Sequence, residues 1–283
     1  MDEKKRIELE KLKKVGLDIL KEFIRVCDLL DLKYYSAYGT LIGAVRHEGY
    51  IPWDDDVDVY MPRPDYEIFM KEAKKYLKDN YFVQNNDTDP EYLLRFAKLR
   101  DSNTTFIEEE YKKYTINHGI FIDIFPLDGY VKGKDFLLDM RIKQKAFEES
   151  DNEVKFKNSL STFNMKVIQK IGPILNKKIN LEKTMNSYED IAKKFSYKDS
   201  DYVAEMVGSI YIVPMKKEVF GEGKLMKFED IYARVPDDYD TCLKLLYGDY
   251  MKLPPKEQRE PHHNFVAMDT EKSYWEYIGK FKK

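Results

Sequence analysis

A chain of 283 residues, 43% of them hydrophobic, with a net charge of −3 can bury a sizeable core in one large domain or two smaller ones, and it lacks the basic balance of a general nucleic-acid binder. Two cysteines, Cys27 and Cys242, exclude a disulfide framework and a Cys-rich zinc site. The charged opening MDEKKRIELEKLKK has no apolar signal-peptide core, and no apolar run approaches the ~18 residues of a membrane span. These features lead to the expectation of a cytoplasmic protein without a transmembrane segment, able to touch the inner face of a membrane.

Leu12, Val15, Ile19, Phe23, Val26 and Leu30 recur at intervals of three and four and predict an amphipathic helix over 4–30. A short strand over Lys33–Tyr38 leads into a Gly39-Thr40 turn and a short helix over Leu41–Arg46, closed off by Gly49 and Pro52. Asp55–Met61 reads as a strand ended by Pro62 and Pro64. Asp65 is then the expected N-cap of a helix running to about Lys78. Tyr81–Gln84 is a strand, and Leu93–Leu99 with Thr104–Glu109 suggests a hairpin. Ile120–Phe125 is an apolar run broken by Asp123 and terminated by Pro126 and Gly129. From Lys134 to about Lys198 the pattern is helical. Tyr202–Pro214 and Ile231–Val235 have strand character, and a helix is expected over Asp237–Tyr247. The predicted fold is α+β, a nucleotidyltransferase-like mixed sheet flanked by helices. Its expected divisions are a catalytic core over 1–130, a helical addition over 131–200 that carries acceptor specificity, and a C-terminal segment over 201–283 packed back on the core.

The chemistry concentrates between Gly39 and Arg63. On a strand, side chains two apart share a face, so Asp56 and Asp58 project together while Val57 and Val59 turn to the core. Asp54 shares their parity and stays in reserve; Asp55 does not. Carboxylates this close repel unless a proton or cation intervenes, and Mg²⁺ or Mn²⁺ suits such an oxygen-only set. Gly39 and Thr40 at a strand-to-helix turn would admit a phosphate to the helix N-terminus, although Thr is also an ordinary N-cap. Asp123 is costly to bury without a partner. It either pairs with a cation or amide, or joins the metal cluster from a neighbouring strand. Arg46, His47, Lys98 and Arg100 are candidate substrate contacts, each also readable as a plain surface charge. His47 could serve as a base near neutral pH. Trp53 could wall a substrate pocket, and an aromatic cage for a quaternary ammonium is conceivable. His262 and His263 could reach a phosphate or metal, although an ordinary exposed pair is the plainer reading.

The stretch YGTLIGAVRHEGYIPWDDDVDVYMPR strongly resembles the signature of the LicD family, which includes bacterial phosphocholine transferases and is related to the fukutin-type phosphosugar transferases. The likeness continues through Phe96–Phe106 and His118–Gly129 and resumes weakly over Leu245–Pro255. The spacing of Gly39-Thr40, Asp56-Val57-Asp58 and Asp123 also resembles the polymerase-β-type nucleotidyltransferase fold. The resemblance implies a metal pair at Asp56 and Asp58 and a third acid at Asp123. It further implies a CDP-linked donor such as CDP-choline and transfer of phosphocholine, or a similar phospho-alcohol, to a sugar hydroxyl of a cell-surface glycan, lipopolysaccharide or teichoic-acid precursor, with release of CMP. A nucleotidyltransferase, a metal-dependent glycosyltransferase and an inactive nucleotide-binding scaffold are the competing readings.

Overall fold

The computed structural model describes residues 3–131, 189–208 and 212–281. Among these residues the chain runs through α1 (Glu3–Leu30), β1 (Tyr35–Ser36), α2 (Tyr38–His47), β2 (Asp58–Pro62), α3 (Arg63–Glu72), β3 (Tyr81–Gln84), β4 (Ala97–Asp101), β5 (Thr105–Glu108) and β6 (Ile120–Tyr130). It continues with β7 (Tyr202–Glu205), β8 (Met215–Lys216), β9 (Lys224–Phe228), β10 (Ile231–Val235), α4 (Tyr239–Tyr247) and β11 (Phe265–Asp269).

The helix expected over 4–30 is α1. Its Leu12, Ile19, Leu20, Phe23, Val26 and Cys27 are all buried, the stripe that a 3.6-residue period demands. Asp31, at φ 52, ends the helix in the left-handed region, which a short polar side chain tolerates. The adjacent Leu32 N–H donates back to the Cys27 carbonyl at 2.9 Å.

The main sheet has the strand order β1-β2-β6-β4-β3, with β7 pairing β6 and β8 pairing β7. The β2–β6 pairing is parallel and the others are antiparallel, which makes the sheet mixed and the fold α+β, as predicted. Two ribbons, β9–β10 and β5–β11, stand apart from it. One large core takes in α1, α2, the sheet, the β9–β10 ribbon and α4. Cys27 and Cys242 are buried free thiols.

Several boundaries differ from those expected. β4 and β5 do not form a hairpin: β4 lies between β3 and β6, and β5 pairs with β11, some 160 residues away. β6 continues through Pro126 and Gly129 to Tyr130. Its pairing with β4 ends at Ile124 and its pairing with β7 begins at Leu127. Pro126 therefore falls where one antiparallel neighbour hands over to the next, and its missing N–H disrupts neither ladder. The cap of α3 is Pro62 rather than Asp65; the Asp65 carboxylate accepts instead from the Lys33 N–H. Of the stretch 202–214, residues 202–205 form β7. β9 and β11 were not expected. The helical addition placed over 131–200 lies, apart from 131 and 189–200, outside the described residues.

Candidate active site

The two halves of the Gly39–Arg63 stretch come together through α2 and β2. α2 starts at Tyr38, three residues earlier than expected, with Ala37 as an N-cap that offers no side-chain bond. Gly39 and Thr40 therefore lie inside the first turn, where backbone N–H groups have no intrahelical acceptor. Thr40 is not the cap: its buried Oγ1 accepts the Asp58 N–H at 2.8 Å and ties the helix to the start of β2. Gly39 lets the Asp54 carboxylate lie close against the helix: a Cβ there would meet Asp54 Oδ2 at 2.4 Å and push that side chain aside. Tyr38 adopts φ 41, an unusual conformation for a tyrosine. Its hydroxyl donates to Glu205 at 3.0 Å, and its ring packs edge-on against Tyr60 and Phe125.

β2 begins at Asp58, so Asp54, Asp55 and Asp56 belong to the loop that enters it, and strand parity does not govern them. Asp54, Asp56 and Asp58 all line one cleft of about 500 Å³, together with Tyr38, Gly39, Arg46 and Trp53. Asp55 turns away from it. Its carboxylate accepts from the backbone N–H groups of His262 at 3.3 Å and His263 at 3.0 Å, and lies 3.2 Å from His263 Nδ1. His263 is thus half-buried and engaged, not one of an exposed pair. His262 is exposed and lines the cleft. Asp55, Asp56 and His263 bring one potential ligand atom each within 4.8 Å of one another.

Asp123 enters through sheet register. It is the parallel partner of Asp58 and the antiparallel partner of Lys98, which in turn faces Gln84. A row of polar side chains therefore crosses four strands. Lys98 is 1% exposed. Its ammonium lies 2.8 Å from Asp123 Oδ1 and 3.3 Å from the centre of the Phe121 ring, so it serves the third acid from behind. Arg100 is fully buried deeper in the same sheet. It donates to Gln84 and to the Gly119 carbonyl and pairs with Glu108 at 3.5 Å. Neither lines the cleft. His47 accepts from Arg46 Nε at 3.0 Å; burial, then Arg46, lowers its pKa.

The electrostatics of the acids are strained. Burial first, then Asp56 and Asp55, pushes Asp54 up to about 8. Burial, Asp56, Asp123 and Asp54 push Asp58 well above the ordinary carboxylate range. Asp56 and Asp123 are also raised, chiefly by burial, opposed first by His263 at Asp56 and by Lys98 at Asp123. Burial opposes the charge of His263, but the hydrogen bond to Asp55 and the field of Asp56 raise it to about 10. Crowded, desolvated carboxylates at Asp54, Asp56 and Asp58 are oxygen donors of the kind that could hold a hard divalent cation, whereas the trio with ligand atoms within 4.8 Å among the described residues is Asp55, Asp56 and His263. Asp54, held against Gly39, belongs to the cleft carboxylates as much as Asp56 does.

The opposite wall of the cleft was not foreseen from residue chemistry. It is built from residues 247–262, including Tyr247, Asp249, Tyr250, Lys252, Pro254 and Pro255. Arg46 donates to the Tyr250 carbonyl, and the Arg259 guanidinium stacks over Trp53 at 5.3 Å. The signals that pointed there were the weak family likeness over Leu245–Pro255 and the reading that His262 and His263 could reach a phosphate or metal; His262 does line the cleft.

A mixed sheet with an acid-bearing strand after a glycine-containing helix turn defines a nucleotidyltransferase-type domain. The family model that matches, over residues 31–170, is the nucleotidyltransferase domain of LicD, FKTN and FKRP. The chain is 30% identical over 266 residues to the lipopolysaccharide cholinephosphotransferase LicD of Haemophilus influenzae, spanning 92% of this chain and 97% of that protein. It belongs to the LicD family and is a transferase. An uncharacterized protein of Rickettsia typhi is 24% identical over 213 residues, 66% of this chain and 69% of its own. One of Rickettsia prowazekii is 48% identical over 42 residues, 15% of each chain.

Proposed function

We propose that the protein transfers phosphocholine, or a closely similar phospho-alcohol, from a CDP-linked donor to a sugar hydroxyl of a cell-surface glycan precursor and releases CMP. The observation that carries this reading is the convergence of Asp54, Asp56 and Asp58 on one cleft beside the first turn of α2, with Asp123 in register behind Asp58. Similarity to a lipopolysaccharide cholinephosphotransferase over nearly the whole chain supports the choice of group and of acceptor class.

Asp56 and Asp58, with Asp54 and Asp123 beside them, would hold Mg²⁺ or Mn²⁺, which when bound supplies Lewis-acid neutralisation of the diphosphate. The chain's own groups do the rest. First-turn N–H groups of α2 offer donors to phosphate. Lys98 keeps Asp123 fixed against Asp58. The acceptor hydroxyl attacks the choline-bearing phosphorus in line, and the bond from that phosphorus to the bridging oxygen breaks. CMP departs with the electron pair, and the hydroxyl proton passes to a carboxylate of the cluster. Tyr247 and Tyr250 give the cleft aromatic faces suited to a quaternary ammonium.

Mass spectrometry of products from CDP-choline, CDP-ribitol and CDP-glycerol, each offered with a panel of glycan acceptors, tests the reading. Free CMP with a phospho-alcohol on the acceptor supports it. Free phosphocholine or pyrophosphate would mean that the nucleotide moves, and release of nucleoside diphosphate from a sugar nucleotide would mean a glycosyltransferase.

A further inference from the structure

Arg259 lies outside every motif that drew attention in the sequence, yet it is held in a defined position. Its guanidinium carbon is 5.3 Å from the centre of the Trp53 ring, and its Nε donates to the Pro254 carbonyl at 2.9 Å. Trp53 and Pro254 both line the cleft, so the side chain is clamped by two pieces of its wall. Stacking and one backbone bond fix the plane of the guanidinium while leaving its two terminal nitrogens unengaged. Among the described residues neither takes a hydrogen bond or ion pair.

Arg46 is held in the same manner. Its Nε donates to His47 and its Nη1 to the Tyr250 carbonyl, it lines the cleft, and it too has no carboxylate partner among the described residues. The two cations are near neighbours: after burial, Arg259 is what disfavours the charge on Arg46. Two adjacent guanidiniums with no acid between them repel. The cleft carboxylates Asp54, Asp56, Asp58 and Asp249 form no ion pair with either arginine among the described residues. Arg46 lines the cleft, and Arg259 stands behind the Trp53 and Pro254 that line it. Planar, pre-oriented guanidiniums are suited to bidentate contact with phosphate oxygens.

We propose that Arg259 and Arg46 form a second phosphate seat, at the edge of the cleft where Trp53, Tyr250 and Pro254 meet, that receives the phosphate leaving with the nucleotide. The ligand class is a nucleoside 5′-monophosphate or the matching end of its diphosphate-linked donor, and the proposal rests on the reading of a CDP-linked donor. The phosphoryl group that moves sits by the acids. The phosphate left behind gains negative charge as the bond breaks, and the two arginines meet that charge. Trp53 acts as the plate that holds Arg259 in plane.

The test is calorimetric binding of CMP and of cytidine, together with initial rates on CDP-choline, for the wild type, Arg259→Gln, Arg259→Lys, Arg46→Gln and the control Lys256→Ala, all checked for folding by thermal melting. Arg259→Gln and Arg46→Gln should each weaken CMP binding and raise KM for the donor by about 10- to 100-fold, with cytidine binding unchanged. Arg259→Lys should recover little, because an ammonium neither stacks in plane nor donates a fork. CMP affinity within about twofold of wild type in Arg259→Gln, or an equal loss for cytidine, overturns the seat. Wild-type protein that transfers nothing from any CDP-alcohol removes the functional reading instead. If that protein still binds CMP through Arg259, the seat stands, and if it binds none, both fall.

Discussion

The parallel pair β2–β6 carries buried carboxylates near both of its ends, and the two ends treat them in opposite ways. Just beyond β2, Arg63 donates Nε and Nη2 to the two oxygens of Asp128, each at 2.6 Å; every partner is present. At the other end Asp58 faces Asp123 in register, acid against acid, with Asp54 and Asp56 alongside. Lys98 touches Asp123 alone, and His263 pairs with Asp55 and comes within 3.9 Å of Asp56, while Asp54 and Asp58 have no ion-pair partner among the described residues. Burial penalises charge equally at both places. One end is neutralised within the protein, whereas at the other Asp54 and Asp58 are left without an ion-pair partner among the described residues. That difference separates structural charge from functional charge more sharply than residue type does.

The comparison breaks most visibly if removing an acid from the cluster costs stability. Asp58→Asn should lower the rate of CMP release by about 10³-fold while its melting temperature holds or rises, since a like-charge repulsion disappears; a clear drop in melting temperature would place Asp58 with the structural charges. Arg63→Ala should do the reverse. It leaves Asp128 buried and unpaired and should cost about 3–5 kcal/mol in urea unfolding. Arg63→Met combined with Asp128→Leu should regain most of that loss. Next in size is the response to cation. Mg²⁺ or Mn²⁺ at about 100 times its Kd should stabilise the wild type by about 2.7 kcal/mol, and Asp56→Asn with Asp58→Asn should abolish the shift in a thermal scan.

The smallest effect concerns Glu22, a satisfied acid in α1. Burial works against its charge, but hydrogen bonds from Arg25 and the Lys78 N–H hold its pKa below the ordinary value. Glu22→Gln should cost about 1–2 kcal/mol near neutral pH. A depressed carboxylate stabilises above its unfolded pKa and loses that contribution as pH falls through its folded one. The gap between wild type and Glu22→Gln should therefore close below about pH 4; a gap that persists in acid would mean that packing, not charge, is lost.

Local pattern was a sound guide wherever the determinants were local. The apolar stripe of α1 follows from the helix period alone, and the burial of Val57 and Val59 follows the expected alternation; that Asp123 faces Asp58 depends on register between two strands. The predicted strand takes in Asp55 and Asp56, whereas β2 starts only at Asp58, so parity was applied to loop residues; Asp54, held in reserve, lines the cleft with Asp56. Lys98 and Arg100 looked like surface charges until register with Asp123 and Gln84 put them inside. Pro126 looked like a strand end, since nothing in β6 itself announces that β4 stops and β7 begins on either side of it. The wall over 247–262, the pairing of β11 with β5 and the grip of His263 on Asp55 depend on contacts made far along the chain, and no short window contains them.

The bond from the His263 N–H to Asp55 joins residues 208 positions apart, and that from Arg46 to the Tyr250 carbonyl joins residues 204 apart. During synthesis the acids emerge long before the wall that faces them. The sheet strands from β1 to β6 are made while the cleft has only one side. Closing it is a late, high-contact-order event, so a partly synthesised chain carries the acids without an enclosed place for donor to react.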